Sequence, residues 1–351
     1  MIKFLALGIS LLLLSFSAQD DLTAILEEYI QEDEPGVVVY VAYHGETASA
    51  AYGSANLDTG EPIQVDDLFR IGSTTKPMVA TVMLTLVDAG EISLDDPIAD
   101  YLPVEIVENV ANADSATVRQ MLQMTSGIFD YTESDAFDDA ITDDPQHFWT
   151  PEEVMTYTYG EEPYFNPGDE FYYSNSNYIL AQIIIEQLTG MSLADALETV
   201  IFEPLGMTGC YLETEANFAQ NIVRGYGYDE DITEENDGVG MGDGGVICPA
   251  EDLAKFLPGL LNGEIISGAM LEEMLDTVED DSESQYGLGI GYDEDEDYGV
   301  MISHDGATSG FQSVMFYNVD SELTVIVLTN NFDAEYMEDV TWDIVDLVLG
   351  E

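Results

Sequence analysis

Apolar residues recur at Leu22, Ile25, Leu26 and Ile30 with acids between them, a spacing that predicts one buried face of a helix over residues 21–31. Gly36 ends that segment. The unbroken run Val37-Val38-Val39-Tyr40-Val41-Ala42-Tyr43 reads as a strand buried on both faces. His44-Gly45-Glu46 is a tight turn, with His44 simply a turn residue, and residues 48–52 return as the second strand of an antiparallel hairpin. From Lys76 to about Gly240 the pattern changes to helices and long loops. Residues 78–87 are apolar on most faces, so the helix they predict is buried, and Asp88-Ala89-Gly90 terminates it. A short helix is expected over 117–123, ending at Ser126-Gly127, and then a loop rich in Asp, Thr and Tyr up to Pro151. Residues 179–188 predict a strongly apolar helix closed by Gly190. From Gly244 the strand pattern returns, at 287–292, 298–303, 311–318 and 323–328, and residues 339–349 predict a C-terminal helix.

These elements predict an α+β fold: an antiparallel sheet built from both chain ends, flanked by the terminal helices, with an all-helical insertion between them. The sheet lobe takes about 18–75 and 241–351, the helical lobe about 76–240. With no internal repeat and no long linker, the two lobes read as one folding unit, and a cleft is expected at their junction.

Composition changes the setting more than the fold. Of 351 residues 46% are hydrophobic, enough for a substantial core. Yet 71 acidic residues face only six basic ones, a formal charge of −65. The start Met1-Ile2-Lys3, an apolar run over 4–14 and the exit Ser15-Phe16-Ser17-Ala18 predict a cleavable secretory signal, cut after Ser17. The run is short for a membrane span and no cysteine sits at the cut, so the expected product is secreted or periplasmic, without a stable membrane anchor. Removing Lys3 leaves five basic against 71 acidic residues, −66. Such self-repulsion is relieved in molar salt, where the Debye length shrinks to about 3 Å, so the chain reads as salt-adapted. Nucleic acid is excluded as a partner, because phosphate binding needs clustered Lys and Arg. Cys210 and Cys248 leave two equal alternatives, a disulfide or two buried thiols.

Against that background the stretch Phe69-Arg70-Ile71-Gly72-Ser73-Thr74-Thr75-Lys76-Pro77-Met78 stands out. Beyond the N-terminal segment Lys76 and Lys255 are the only lysines, and Lys76 sits one helical turn after Ser73, placed to help remove its proton. Tyr173-Ser174-Asn175 offers a phenol as general base or proton relay beside that cation; Tyr164-Phe165-Asn166 fits the same Y-x-N pattern. His304-Asp305-Gly306-Ala307, placed at the end of a strand, offers a hydrogen bond across the cleft and a glycine against which substrate can lie as an added strand.

Together these motifs resemble the serine beta-lactamase and penicillin-binding-protein superfamily, in particular its class C branch, which includes D-alanyl-D-alanine carboxypeptidases, esterases and D-amino-acid peptidases. The resemblance extends to Leu94-Asp95-Asp96-Pro97, to Thr117-Val118-Arg119-Gln120-Met121-Leu122 with Thr125-Ser126-Gly127, to Pro204-Leu205-Gly206-Met207, and to Gly244-Gly245-Val246 leading into Glu251-Asp252-Leu253. It implies that Ser73 is the acylated nucleophile, that Lys76 and Tyr173 form its proton-transfer system, and that Asn175 orients Lys76 and a substrate amide. It further implies that His304 stands where many beta-lactamases carry lysine, and that the N–H groups of Ser73 and Ala307 form an oxyanion hole. The expected partner is a small-molecule or peptide acyl substrate, and no cofactor is implied.

His-Asp-Gly in place of Lys-Thr-Gly removes a cation and a hydroxyl that would hold a substrate carboxylate. Penicillins and peptide C-termini are anions, and so strongly acidic a chain repels them at low salt, which ranks beta-lactamase activity below carboxypeptidase or esterase activity. Arg224 is the candidate to anchor a carboxylate, with a structural ion pair the heavier alternative. A non-catalytic binding homologue is the alternative from another class, and the joint retention of Ser73, Lys76, Tyr173 and His304 argues against it. The acid run at 293–297 resembles the start of a calcium loop, but His304 rather than Glu would fall at the twelfth position, so a solvated hairpin is expected. Three scattered histidines make no zinc site.

Overall fold

A computed structural model describes residues 16–228, 230–236, 240–280 and 284–350, the side chains from residue 18 onward. The expected signal segment, residues 1–17, lies outside the described residues apart from the backbone of its last two positions.

Among the described residues eight strands form one antiparallel sheet: β1 (Val37–Tyr43), β2 (Glu46–Tyr52), β3 (Val278–Glu279), β4 (Gln285–Tyr286), β5 (Gly291–Asp295), β6 (Gly299–Thr308), β7 (Phe311–Asn318) and β8 (Leu323–Thr329). Their spatial order is β3-β4-β5-β6-β7-β8-β1-β2, so the N-terminal hairpin completes a sheet that the C-terminal third begins. In β1, Val37, Val39 and Val41 pack on one face, against Leu22 and Leu26 of α1 (Phe16–Tyr29), while Val38 enters a second core on the other face. Burial on both sides is why β1 shows no polar alternation. α1 shares the outer face with the C-terminal helix, which spans Met337–Leu349 and contributes Val340, Ile344 and Val345. The inner face carries two apolar helices, α2 (Lys76–Asp88) and α3 (Ser176–Thr189), the latter stopped by Gly190 in the left-handed conformation.

Four expectations need correction. Residues 287–290 are apolar but not a strand: Gly287 and Gly289 fold them into a turn, with the Leu288 N–H on the Met274 carbonyl at 2.9 Å. The loop expected up to Pro151 contains a helix, Asp135–Asp143, held by Phe137 against Tyr131, Trp149 and Tyr157. Before the strands resume, the chain is helical at Ala250–Leu253, Phe256–Leu261 and Gly268–Met274. Finally, His304-Asp305-Gly306-Ala307 is not at a strand end but inside β6, paired with β7 through Thr308. The β5 ladder stops at the Gly291–Ser303 pair, so residues 304–308 are paired on one side only.

Candidate active site

The nucleophile candidate sits on a tight 3₁₀ turn, Gly72–Thr75, that runs directly into α2. In such a turn residues i and i+3 eclipse, which brings Lys76 over Ser73 more closely than an α-helix would. The turn is fixed from two sides. A three-stranded sheet lies beneath it, in which Phe69–Arg70 pairs with Val246–Cys248 and the latter with Tyr211–Leu212. A disulfide joins Cys210 to Cys248 and ties the central strand of this sheet to the outer strand Tyr211–Leu212, the first of the two alternatives that the sequence allows. On the other side lies β6: Gly72 has φ +51°, and a Cβ there would fall 2.7 Å from the Ala307 nitrogen. Gly306 is required for the same packing, since a Cβ on it would collide with the Ile71 carbonyl. The space left by this glycine is therefore taken by the chain's own backbone rather than by substrate.

Lys76 is completely buried and uses all three of its N–H donors. They go to Ser73 Oγ at 2.9 Å, Asn175 Oδ1 at 2.8 Å and the Asp243 carbonyl at 2.7 Å. Asn175 is locked in turn, its Nδ2 and its backbone N–H each donating to Asp130 Oδ2 at 3.0 Å. Its amide group is thus committed to orienting Lys76. Tyr173 borders the cavity beside Ser73, and its ring centroid is 5.0 Å from Lys76 Nζ. The other Y-x-N match is elsewhere: Tyr164 stacks on Tyr172 and donates to Glu133.

His304 borders the same cavity, but both ring nitrogens are spoken for. Nδ1 donates to the Asp305 carbonyl at 2.7 Å, which leaves Nε2 to accept from the Tyr286 hydroxyl at 3.0 Å. Burial, and then the nearby Lys76 charge, push the imidazole down to about 3, so the ring is neutral. It forms part of the cavity wall and offers no free donor across the cleft. Arg224 does not border the cavity; it pairs with Asp231 at 2.7 Å and Glu234 at 3.7 Å, the structural ion pair rather than a carboxylate anchor.

Asp130, Tyr131, Asp243 and Tyr286 were missed by sequence reasoning. Asp130 and Asp243 are 4% and 7% exposed, and burial raises the carboxyl pKa of both, that of Asp243 to about 6 against the opposing pull of Lys76. Among 71 acids no scarcity signals them. Only the position of Asp243 directly before Gly244-Gly245 was a clue.

Two cavities meet at Ser73 and Ala307, one of about 540 Å³ and one of about 120 Å³. The five basic side chains of the described residues are all engaged internally: Arg70 with buried Glu213, Lys76 as above, Arg119 with Glu273, Arg224 with Asp231 and Lys255 with Asp252. The larger cavity carries Asp305, Glu335 and Glu338 on its wall instead.

A family model described as Beta-lactamase matches residues 22–349. Penicillin-binding protein 4* of Bacillus subtilis is 29% identical over 82% of this chain and 66% of its own length. A D-aminopeptidase of Brucella anthropi is 27% identical over 90% of this chain and 59% of its own length. The chain thus spans about two thirds or less of these curated relatives. Among solved structures, a D-stereospecific amidohydrolase from Streptomyces superposes with a TM-score of 0.82 at 27% identity, covering 92% of this chain and 97% of that one.

Proposed function

The chain belongs to the beta-lactamase family, and from that premise we propose that it is a serine hydrolase working through an acyl-enzyme on Ser73. The observation that carries this reading is the 2.9 Å bond from Lys76 Nζ to Ser73 Oγ, in a buried lysine held by Asn175 and Asp243 behind a serine that borders an open cavity. Ser73 Oγ attacks the substrate carbonyl carbon, and its proton leaves through the Lys76–Tyr173 pair. The tetrahedral oxyanion is received by the N–H groups of Ser73 and Ala307, each such donor worth about 3–4 kcal/mol. As the bond to the leaving group breaks, Tyr173 delivers the proton to it. Water then adds to the acyl-enzyme carbonyl, passes a proton back along the same route and frees the serine.

Esters or amides without a carboxylate beside the scissile bond fit the site better than a peptide C-terminus or a penicillin. With every described basic side chain committed and three acids on the larger wall, a substrate anion would meet repulsion and no partner. The relative named a D-aminopeptidase and the neighbour named an amidohydrolase support an amide- or ester-cleaving role. The Cys210–Cys248 disulfide supports folding in an oxidising compartment, in line with export. No described helix is long and apolar enough to cross a membrane.

The test is to incubate the protein in molar salt with p-nitrophenyl acetate and locate the adduct by mass mapping. An acetyl group on Ser73, absent from Ser73→Ala, is the expected result. A folded sample that forms no adduct with any activated acyl donor would overturn the proposal.

A further inference from the structure

Ser73 lies midway between two buried cations. Arg70, three positions before it, is 2% exposed, and Lys76, three positions after it, is wholly buried. The other described lysine and arginine side chains are 26–39% exposed. Lys76 serves the proton transfer, whereas Arg70 borders neither cavity at Ser73 and so cannot touch substrate.

The guanidinium of Arg70 joins three segments. Its Nε donates to Glu213 Oε2 at 2.8 Å and its Nη2 to Glu213 Oε1 at 3.3 Å, and the same Oε1 accepts the Ala219 N–H at 2.5 Å. Nη1 reaches the Ser309 carbonyl at 3.5 Å, in the turn between β6 and β7. The central carbon of the group stands 5.2 Å from the Phe218 ring centre and 5.6 Å from that of Phe311, the first residue of β7. Stability alone explains this arrangement poorly, because desolvation offsets most of what a buried ion pair gains, and apolar side chains of similar volume do as well. Geometry explains it better. The strand Phe69–Arg70 leads into the turn that carries the Ser73 N–H, and Ser309 follows Ala307 by two residues. On one side Ala307 is fixed by the Ser73 turn, through Gly72 packed on its backbone and the Ser313 hydroxyl on the Ile71 carbonyl; on the other, at the hairpin end, the contact is Arg70.

We propose that Arg70, held by Glu213, is a positioning residue that sets the spacing between the Ser73 and Ala307 N–H groups, so that both meet the oxyanion at once. This role rests on the hydrolase reading above. A planar fork suits it, because its donors leave in fixed directions and tie Glu213 and Ser309 to one rigid group, which a single ammonium cannot do. Burial suits it as well. Salt screens a buried pair far less than an exposed one, so the spacing is kept in molar salt, where exposed pairs such as Arg224–Asp231 weaken.

The test uses two variants. Arg70→Lys keeps a cation beside Glu213 but lacks the fork; Arg70→Met combined with Glu213→Gln removes both charges together and leaves an acceptor for the Ala219 N–H. Two quantities are read in molar NaCl: the rate constant of the p-nitrophenyl acetate burst, and the affinity for phenylboronic acid, whose tetrahedral adduct on Ser73 places an oxygen where the oxyanion forms. Both should fall about ten- to a hundredfold in each variant, the cost of a displaced donor, while the burst amplitude per folded molecule and the half-saturating ester concentration stay within about twofold. A role in stability alone would lower the unfolding midpoint and move neither quantity. Folded variants with the wild-type rate constant and boronate affinity overturn the proposal, as does a slower burst with unchanged boronate affinity. Failure of both variants to fold also overturns it, since the pair would then serve the fold. A wild-type protein without a burst removes the hydrolase reading and this role with it, whereas a normal wild-type burst leaves the hydrolase standing whatever the variants do.

Discussion

The sheet is covered from two sides by buried regions built on opposite rules. On the outer face, α1 and the C-terminal helix lay Leu22, Leu26, Val340 and Ile344 on the valines of β1 and β8, in an apolar cluster that also holds Phe316 and Met301. On the inner face the turn at Ser73 is surrounded by buried Lys76, Asp130, Asp243 and His304 and by half-buried Asn175, each held by named hydrogen bonds. The first region tolerates any residues of suitable volume and can be expected to serve stability alone. The second forgives nothing, because removing one partner leaves another charge or donor buried without its counterpart.

The strongest way to break this contrast is Lys76→Met. It should lower acyl transfer by roughly 10²- to 10⁴-fold. It should also destabilise the fold by about 3–5 kcal/mol at pH 8, because two buried carboxyl groups lose their cation. The stability loss should already be smaller at pH 6 than at pH 8, because without the Lys76 charge Asp243 takes up its proton at a higher pH than in the wild type, and denaturant unfolding at several pH values reads it. Next in size, Leu26→Ala on the outer face should cost about 2–5 kcal/mol while kcat/KM of the folded protein stays put. A fall in kcat/KM there would show that the two regions are coupled through the sheet.

Asp243→Asn sharpens the comparison in the opposite direction. The Asp243 carboxyl is raised by burial to about 6, so in the wild type its contribution is most favourable below the ordinary carboxylate range and is lost as pH rises through 6. The variant should therefore be more stable than wild type by about 1–3 kcal/mol at pH 8, with the difference closing between about pH 6 and pH 4. A less stable variant at pH 8 would show that the ionised carboxylate is satisfied in the free protein. The smallest effect is a silence: with its imidazole held down at about 3, His304 contributes no inflection near pH 6.5, and His304→Gln should leave the acid limb of the rate profile where it was. A shifted limb would mean that the imidazole titrates in the working range.

The same divide governs what could be read from the chain. The outer region was legible because period and burial coincide: β1 is a continuous apolar run, β8 is broken only by Thr324 and Thr329, and α1 is amphipathic. Ser73 and Lys76 were legible through the rarity of lysine, and Tyr173 through its motif. Asp130 and Asp243 were hidden by the opposite condition, since an acid carries no information in so acidic a sequence. Residues 287–290 misled because their apolar side chains fit a buried turn as well as a strand; only the left-handed Gly289 at φ +77° distinguishes them, and that is a property of the backbone. The engaged state of His304 depends on Tyr286, eighteen positions away, which no local pattern connects to it.

The one-sided pairing of residues 304–308 in β6 carries a further consequence, for how copies of the molecule treat one another. A strand edge without a ladder partner can meet the edge of a second copy, and such edges seed sheet-to-sheet aggregation. At low salt a charge of −65 keeps copies apart. In molar salt that protection fades, and what remains is geometric: the stretch beyond the end of the β5 ladder is short, its His304 carbonyl already accepts from the Thr74 hydroxyl, and a turn crowds its backbone. Brevity, rather than charge, is then the molecule's defence against its own kind.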